Sequence, residues 1–277
     1  MNRILTKKHI SENLVKFEIR TSICLNNIQP GQYIIVRMQV SDPGISFPVI
    51  KANPEKSTVT IIVSVSDESS RTLSRLIEGS CLPRIDGPFG YQAQIENFGT
   101  VLCIGREQGI ISLFPLLTSL RASGNRIVTV LSATSKDGIV LQNEMNAVSD
   151  ELITITDDGS LGEKATICQI TGRVLRNNCI NQVFVIGPGK TIKETCSHTI
   201  KNNIATQAFL HKQNTIEHAG HDIFKVSICG NERAVCVDGV NFNAYYPNFE
   251  EMNRRLGSVG LDNQSRCEVT GEVSIPA

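Results

Sequence analysis

Tryptophan is absent from the sequence, and neither sign of charge predominates. Lysine plus arginine total 27 and aspartate plus glutamate total 27, so the formal net charge of the 277-residue chain is zero. This balance argues against a nucleic-acid-binding surface and against a polybasic membrane patch. Without tryptophan a protein interface lacks one strong anchor, and Tyr245, Tyr246, Phe249 or arginines would have to supply it.

Long hydrophobic runs are also absent. The first ten residues, MNRILTKKHI, contain no apolar core of about 7–15 residues followed by small residues, so no secretory signal is expected. The longest apolar stretch, Gly109–Leu120, is far shorter than a membrane span and contains Pro115. We therefore expect a cytoplasmic chain that does not cross a membrane.

Closely spaced cysteine pairs are missing, although the chain has nine cysteines. They lie at positions 24, 81, 103, 168, 179, 196, 229, 236 and 267. No C-x-x-C spacing occurs, so zinc ribbons, thioredoxin-type motifs and c-type haem attachment have no support. An odd number of thiols fits a reducing compartment better than a disulfide framework. We expect most of them to be small buried hydrophobic residues.

The chain length predicts about two domains, and the first hundred residues have the pattern of a small antiparallel β-barrel. Hydrophobic and β-branched residues predict strands over Tyr33–Val40 and Ser57–Ser66. Pro-Gly, Asn-Pro and Gly-Pro pairs mark turns around these strands. We assign residues 1–97 to this barrel domain.

From residue 100 the sequence changes to an alternation of strands and helices. Five β-rich runs begin near Thr100, Arg126, Glu151, Gln182 and Ile204. Their spacing of about 22–31 residues leaves room for a helix between each pair, as in βαβ units. The candidate helices are Gly109–Ser123, Ile139–Val148, Gly162–Arg176 and Lys190–Asn202. Residues 98–210 are therefore predicted to form a doubly wound α/β domain with a parallel sheet.

The rest of the chain is predicted to be a smaller unit and a tail. Residues 211–257 form the unit, which a helix near Met252–Leu256 closes, and residues 258–277 form a polar tail.

Four segments carry a resemblance to a known family: Ile95–Gly109, Ser149–Gly162, Val183–Pro188 and Cys236–Phe242. Together they resemble the small (alpha) subunit of NADH-dependent ferredoxin:NADP oxidoreductases, also called the sulfide dehydrogenase beta subunit. The electron-transfer subunit of dihydroorotate dehydrogenase is a more distant relative in this ferredoxin-reductase-like family. The similarity covers nearly the whole chain, from about residue 2 to residue 258.

The resemblance implies three cofactors and a partner. FAD is expected on the barrel, NAD(H) on the α/β domain and a [2Fe–2S] cluster in the C-terminal unit. The partner is expected to be a larger, glutamate-synthase-like flavoprotein. Because a fold can outlive its chemistry, the residues at each of the three sites have to be considered separately.

The flavin motif is altered. The family has Arg-x-Pro-Leu-Thr on a barrel strand, whereas residues 46–50 here read SFPVI. Ser46 replaces the arginine that neutralises flavin phosphate, and Ile50 replaces the hydroxyl that bonds the flavin ring. A second element is partly retained in Ser69, Ser70 and Arg71, which are our candidate FAD-binding residues. The alternative is a polar turn with a solvated arginine, so FAD binding stays open.

The nicotinamide motif is altered as well. Where the family has three consecutive glycines and then x-Gly, the loop after the first α/β strand reads Gly105-Arg106-Glu107-Gln108-Gly109. Glycines there let backbone amides approach a pyrophosphate at a helix N-terminus. We hypothesise that the Glu107 carboxylate caps those amides in place of the ligand. Alternatively, Arg106 contacts a phosphate in a different position.

The remaining candidates for NAD(P) come from the later loops. With the first loop they give the set Gly105, Arg106, Gly109, Asp157 and Gly187. Tight turns between strands and helices also require glycine without any ligand. NAD(P) binding is therefore less favoured than FAD binding.

The cluster motif has lost its ligands. A gapless match places Ile216, His221 and Phe224 at the first three ligand positions and Cys236 at the fourth. One cysteine and one histidine do not hold an iron–sulfur cluster, so [2Fe–2S] is not expected. The histidines between His211 and His221, with nearby cysteines, offer zinc-type ligands, but their spacing is poor. We assign no metal ligand and no catalytic residue.

Two functional hypotheses remain. In the first, which we favour, the chain is a cofactor-depleted subunit with a structural or regulatory role in a larger flavoprotein electron-transfer complex. In the second, it is an active electron-transfer subunit that binds FAD, and NAD(P) as well, through altered contacts without the cluster. Whether the chain is itself an enzyme stays undecided.

Overall fold

The computed structural model describes residues 2–26, 28–39, 44–65, 67–90 and 92–210, and three further strands in residues 225–228, 231–234 and 241–243. No helix among these residues is long and apolar enough to cross a membrane.

Residues 2–89 contain two antiparallel sheets and one helix. The elements are β1 (Asn2–Ser11), β2 (Leu14–Arg20), β3 (Tyr33–Arg37), β4 (Ile45–Pro48), β5 (Lys51–Asn53), β6 (Thr58–Ser64), α1 (Glu68–Arg75), β7 (Cys81–Leu82) and β8 (Arg84–Phe89). One sheet has the order β5-β6-β2-β1-β7 and the other β4-β3-β8. On β2, Val15, Phe17 and Ile19 enter the core of this domain while Lys16 and Arg20 face outward, because successive side chains of a strand alternate between its faces.

Residues 100–210 alternate between strands and helices. The elements are β9 (Thr100–Arg106), α2 (Gly109–Ala122), β10 (Arg126–Ala133), α3 (Gln142–Val148), β11 (Glu151–Thr156), α4 (Ile167–Asn177), β12 (Gln182–Gly187), α5 (Gly189–Thr199) and β13 (Ala205–Leu210). A short 3-10 turn, Lys136–Gly138, precedes α3. Near the C-terminus, β14 (Lys225–Ile228) and β15 (Asn231–Ala234) form a hairpin, and β16 (Asn241–Asn243) joins β13.

The larger sheet has the order β11-β10-β9-β12-β13-β16, and its first five strands are parallel. From β9 the chain moves outward to β10 and β11, then returns to β12 on the other side of β9. The order therefore reverses between β9 and β12. In open α/β sheets, ligands bind at such a reversal, outside the carboxyl ends of the strands.

Helices cover both faces of this sheet. Ile170 and Val174 of α4 and Ile192 of α5 pack on one face, and Leu113 and Leu117 of α2 pack on the other. The strands between them are almost continuously hydrophobic, as expected for a parallel sheet that is buried on both sides.

The two parts of the chain share an apolar cluster. Leu14 and Ile62 from the barrel sheet belong to the same buried group as the side chains of α2. The connecting segment is held by two buried side chains. The Asn125 Oδ1 accepts a hydrogen bond from the Phe98 amide at 2.8 Å, and the Gln207 Oε1 accepts one from the Gln94 amide at 3.0 Å.

The predicted fold class is confirmed. The five predicted α/β strands and the four helices between them are all present, with small differences at their ends. The predicted strands at Tyr33 and Ser57 are observed as β3 and β6. The helix predicted at Met252–Leu256 lies outside the described residues.

The expectation that most cysteines are buried is wrong for the six that the structure describes. Only Cys103 and Cys196 are buried, whereas Cys24, Cys81 and Cys179 are exposed and Cys168 is half-buried. Cys24 and Cys179 lie outside helices and strands, and Cys81 lies on the two-residue strand β7.

Candidate functional site

The candidate nucleotide site lies at the carboxyl edge of the parallel sheet, where the order of strands reverses. Arg106 ends β9, Gly187 ends β12 and Asp157 follows β11 directly. The carboxyl ends of parallel strands share one edge, so residues far apart in the sequence meet here. The structure thus places the predicted residues Gly105, Arg106, Asp157 and Gly187 at or next to neighbouring strand ends, and Gly109 at the start of α2 beside them.

Arg106 closes part of this edge with its own contacts. Its Nη2 and Nη1 atoms lie 2.6 Å and 3.2 Å from the Oδ2 and Oδ1 atoms of Asp157, and Nη1 also donates to the Ser132 Oγ at 2.7 Å. Because β10 lies between β9 and β11, these bonds link three strand ends. A two-pronged arginine–carboxylate pair is a strong, directional contact. The guanidinium is therefore already neutralised by a residue of the same chain.

Glu107 makes a second contact across the same edge. Its Oε1 accepts hydrogen bonds from the Thr134 amide at 2.6 Å and from the Thr134 hydroxyl at 2.8 Å. Its backbone has a positive φ of 52°, a conformation that glycine adopts far more easily. The hypothesis that Glu107 caps the first amides of α2 is wrong, because its carboxylate extends to the loop after β10 instead.

The retained glycines have a packing reason that does not depend on a ligand. A Cβ on Gly109 would collide with the Ile186 carbonyl group, and one on Gly105 would lie 3.1 Å from the Cα of Ile110. These positions let α2 start directly against β9 and β12. A Cβ on Gly187 would come no closer than 3.3 Å, to the Arg106 Cβ.

The surroundings of Arg106 are rich in carboxylates. Asp158 accepts hydrogen bonds from the amide and hydroxyl of Ser160, and these bonds lower its pKa. Glu194 on α5 is half-buried; burial raises its pKa, although Lys190, 4.0 Å away, and Arg106 oppose this. With Glu107 and Asp157, four acidic side chains surround an edge to which a nucleotide would bring negatively charged phosphates.

The flavin candidates lie at the start of α1, which caps itself. The Asp67 carboxylate accepts a hydrogen bond from the Ser70 amide at 2.8 Å, and the Ser70 hydroxyl accepts one from the Asp67 amide at 3.0 Å. Arg71 points to the Glu68 carboxylate at 3.0 Å on the exposed surface. Ser70 and Arg71 are therefore engaged within the helix. Among the candidates, Ser69 lines a cavity of about 390 Å³ beside α1.

This cavity lies between α1 and the strands at the edge of the barrel. Its lining is mixed polar and apolar, and comprises Met38, Gln39, Glu68, Ser69, Thr72, Leu76, Cys81, Leu82 and Pro83.

Residues 46–50 correspond to the other flavin motif, and their side chains have different surroundings. Ser46 is exposed, whereas Ile50 packs against the apolar cluster that the barrel and α2 share. The residue that stands in place of the expected hydroxyl therefore helps to join the two parts of the chain.

The positions that match cluster ligands in the family lie outside the described residues. They are Ile216, His221, Phe224 and Cys236, and the histidines from His211 to His221 lie outside them as well. Within the described part of the chain, no group of three or more His, Cys, Asp or Glu side chains could hold a metal ion.

The sheet order, the antiparallel domain before it and the position of the candidate site define the ferredoxin-reductase-like class. No family model matches the sequence. The electron-transfer subunit homologue of dihydroorotate dehydrogenase B (NAD(+)) from Thermotoga maritima is 28% identical over 256 residues, 92% of this chain and 90% of that protein.

Solved structures agree with this relationship. A chain of the NADH-dependent reduced ferredoxin-NADP oxidoreductase, studied for flavin-based electron bifurcation, matches with a TM-score of 0.79 and 27% identity over 92% of both chains. The cytochrome b5 reductase domain of Ulva prolifera nitrate reductase shares the fold alone, with a TM-score of 0.58 and 14% identity over 73% of this chain and 91% of that domain. The resemblance inferred from the sequence is confirmed: this chain is a homologue of electron-transfer subunits with the ferredoxin-reductase-like fold.

Proposed function

We propose that the chain is a subunit of a larger flavoprotein electron-transfer complex, in which it has a structural or regulatory role and binds NAD(P) weakly or not at all. The relationship over nearly the whole chain supports the first half of this proposal. The Arg106–Asp157 pair carries the second half, because it uses the cation and part of the edge that a dinucleotide would need.

The charges at this edge also favour the proposal. A pyrophosphate is attracted by backbone amides at a helix N-terminus and by unpaired cations. Here Arg106 is paired with Asp157, and Lys190 lies 4.0 Å from Glu194. A dinucleotide would have to break the arginine pair and lie beside the freed carboxylate, which disfavours its binding.

The partner is proposed to be the larger flavoprotein of such a complex, of the glutamate-synthase-like class, in the cytoplasm. The relative from Thermotoga maritima is described as a homologue of an electron-transfer subunit, which supports a partner for this chain as well.

The alternative is an active subunit that keeps FAD without the cluster. The observation that favours it is the cavity of about 390 Å³, large enough for part of a dinucleotide, next to Ser69 and Thr72. Against it, the Asp67 carboxylate occupies the start of α1 and opposes a phosphate there.

The experiment is a cofactor assay on the full chain, purified from its own organism both alone and with co-purifying proteins. Each preparation is denatured, and released flavin is measured by fluorescence against the amount of each chain. We expect this chain alone to be colourless and flavin to follow the larger subunit. Stoichiometric flavin on the isolated chain would support the alternative, and a chain that carries no flavin and has no flavoprotein partner would contradict both functions.

A further inference from the structure

A thiol and an imidazole face each other between α4 and α5. The Cys168 Sγ lies 3.2 Å from the Nε2 atom of His198, and both side chains are half-buried, so solvent can reach them. A nucleophile and a base within hydrogen-bonding distance form the arrangement that activates cysteines in proteins. Neither residue is needed for the proposed function.

The local sequence builds this pair. Gly172 lies one turn after Cys168 on α4, and a Cβ there would come within 2.9 Å of the His198 Cε1 atom. Glycine inside a helix costs about 0.5–1 kcal/mol relative to alanine. At this position it leaves room for the imidazole ring to lie against α4 next to the thiol.

Several polar and charged groups surround Cys168 and His198. Cys168 is the second residue of α4, after the capping residue Thr166, so its thiol lies at the N-terminal end of the helix. Burial, followed by Lys201 and by a smaller contribution from Arg176, lowers the pKa of His198, and a backbone hydrogen bond to Cys168 opposes this. A neutral imidazole can accept the thiol proton. The Cys168 amide donates a hydrogen bond to the Glu194 carboxyl group, which lies on the neighbouring helix α5.

A buried hydroxyl group without a hydrogen-bond partner lies one turn from Cys168 on α4. Thr171 follows Cys168 by three residues, so the two lie on neighbouring positions of one helix face. Its hydroxyl is completely buried and is the one buried side-chain oxygen or nitrogen in the described residues without a hydrogen-bond partner. Buried polar atoms nearly always have partners, so this hydroxyl is an exception in the interior of α4.

The other described cysteines lack this setting. Cys103 and Cys196 are buried, which raises the pKa of both thiols, that of Cys196 to about 12. Cys24, Cys81 and Cys179 are exposed, and the hydrogen bonds of the described residues pair none of these three with a histidine.

We propose that Cys168 is a covalent modification site that forms a mixed disulfide with a low-molecular-weight disulfide such as oxidised glutathione. The Cys168 thiol gives its proton to His198, and its sulfur attacks one sulfur of the disulfide. A new sulfur–sulfur bond forms while the original one breaks, and the departing thiolate takes the proton. Cys168 is oxidised and half of the disulfide is reduced, so no other oxidant is needed.

The test measures the reaction rate of each cysteine in the folded full-length chain. The protein is incubated with oxidised glutathione, and free thiols are then blocked with iodoacetamide. Peptide mass spectrometry gives the glutathione adduct at each position over time. We expect Cys168 to react about tenfold faster than Cys179, because the imidazole of His198 lies 3.2 Å from the Cys168 sulfur and can take its proton. Exposed Cys179 is the internal control in the same molecule.

The role of the imidazole is tested with His198→Gln, a side chain that can hydrogen-bond but cannot take the proton. We expect the Cys168 rate to fall toward that of Cys179, while the Cys179 rate stays unchanged and circular dichroism shows that the variant is folded. If circular dichroism shows that His198→Gln alters the fold, the comparison of Cys168 with Cys179 in the wild-type chain decides. A wild-type Cys168 no faster than Cys179, or a Cys168 rate unaffected by His198→Gln, would overturn the proposal.

Discussion

Arg106 and Glu107 determine what the loop after β9 can bind. Each side chain bonds to a neighbouring strand end, Arg106 to Ser132 and Asp157 and Glu107 to Thr134. The strained backbone of Glu107 is compensated by two hydrogen bonds to its carboxylate. At the scale of residues, two side chains thus distinguish a loop that could bind a nucleotide from this loop, which bonds to the neighbouring strands of its own sheet.

Glycine at both positions is expected to increase the affinity for NADH. In Arg106→Gly/Glu107→Gly, the loop after β9 loses both long side chains, their cross-strand contacts and one carboxylate, so a phosphate can come close to the backbone of the loop. We expect a dissociation constant at least about tenfold lower, the effect of about 1.4 kcal/mol. Isothermal titration of NADH into both proteins measures this change.

Arg121→Ala is the matched control for this experiment. It breaks a comparable arginine–aspartate pair with Asp150, at the opposite edge of the sheet. NADH affinity is expected to stay at the wild-type level. An equal gain in both variants, or no gain in the double variant, would contradict a blocked nucleotide site.

The Asp150 carboxylate makes the free energy of unfolding depend on pH. Its carboxylate accepts a hydrogen bond from the Ile127 amide at 2.8 Å, and that bond, followed by the contact with Arg121, lowers its pKa. Near these pKa values the folded chain binds fewer protons than the unfolded chain. The stabilisation by the Asp150 carboxylate is therefore present above about pH 4 and is lost as the pH falls through the lowered pKa. Asp150→Asn should therefore be less stable than wild type near pH 7, with a difference that shrinks toward about pH 3. Urea unfolding at several pH values measures this, and a constant difference would show that the carboxylate charge has no role.

At the scale of elements, the strands and helices of the α/β domain follow from the sequence, but their contacts do not. Each strand is a hydrophobic run bounded by turns, so its position can be read from composition. The helix α1 was not predicted from the sequence, because its segment ESSRTLSR contains a single strongly apolar residue, Leu73. The Arg106–Asp157 pair joins residues 51 positions apart, and it depends on the order β11-β10-β9, which no local pattern encodes. This is why Glu107 was assigned the wrong hydrogen-bond partner.

The junction between α2 and β12 depends on Gly109. We expect Gly109→Ala to lower the free energy of unfolding by about 2 kcal/mol or more, because the added methyl group meets the rigid backbone of Ile186. Gly187→Ala is the comparison, since its nearest neighbour is the Arg106 Cβ at 3.3 Å and small shifts relieve it. Chemical denaturation gives both values. A smaller effect at Gly109 than at Gly187 would mean that α2 does not pack this closely.

At the scale of the whole molecule, the barrel and the α/β sheet are joined by one apolar cluster and two polar side chains. Leu14 and Ile62 contribute to the cluster, and Asn125 and Gln207 hold the connecting segment. An interface that is continuous with a hydrophobic core resists independent domain motion. A partner would therefore meet both parts in a fixed arrangement.

Unfolding is expected to be a single transition for this reason. Leu14→Ala removes a nearly buried side chain from the shared cluster and should cost about 2–4 kcal/mol. Circular dichroism follows the helices, which lie mostly in residues 100–210, and tyrosine fluorescence follows Tyr33 among other tyrosines. Both signals should shift together in Leu14→Ala. Separate transitions in the wild-type chain would show that the two parts unfold independently.

The loop that carries Asp157 is fastened along the outermost strand. The Thr156 amide donates to the Glu163 carbonyl at 3.1 Å, and the Glu163 amide donates to the Thr154 carbonyl at 3.0 Å, so the loop returns beside β11. Gly162 permits this approach, because any side chain there would meet Thr154. In hydrogen-exchange terms, these amides open only when the strand edge itself frays. The backbone that carries Asp157 is thus anchored on both sides, so the Asp157 carboxylate is held in position for Arg106.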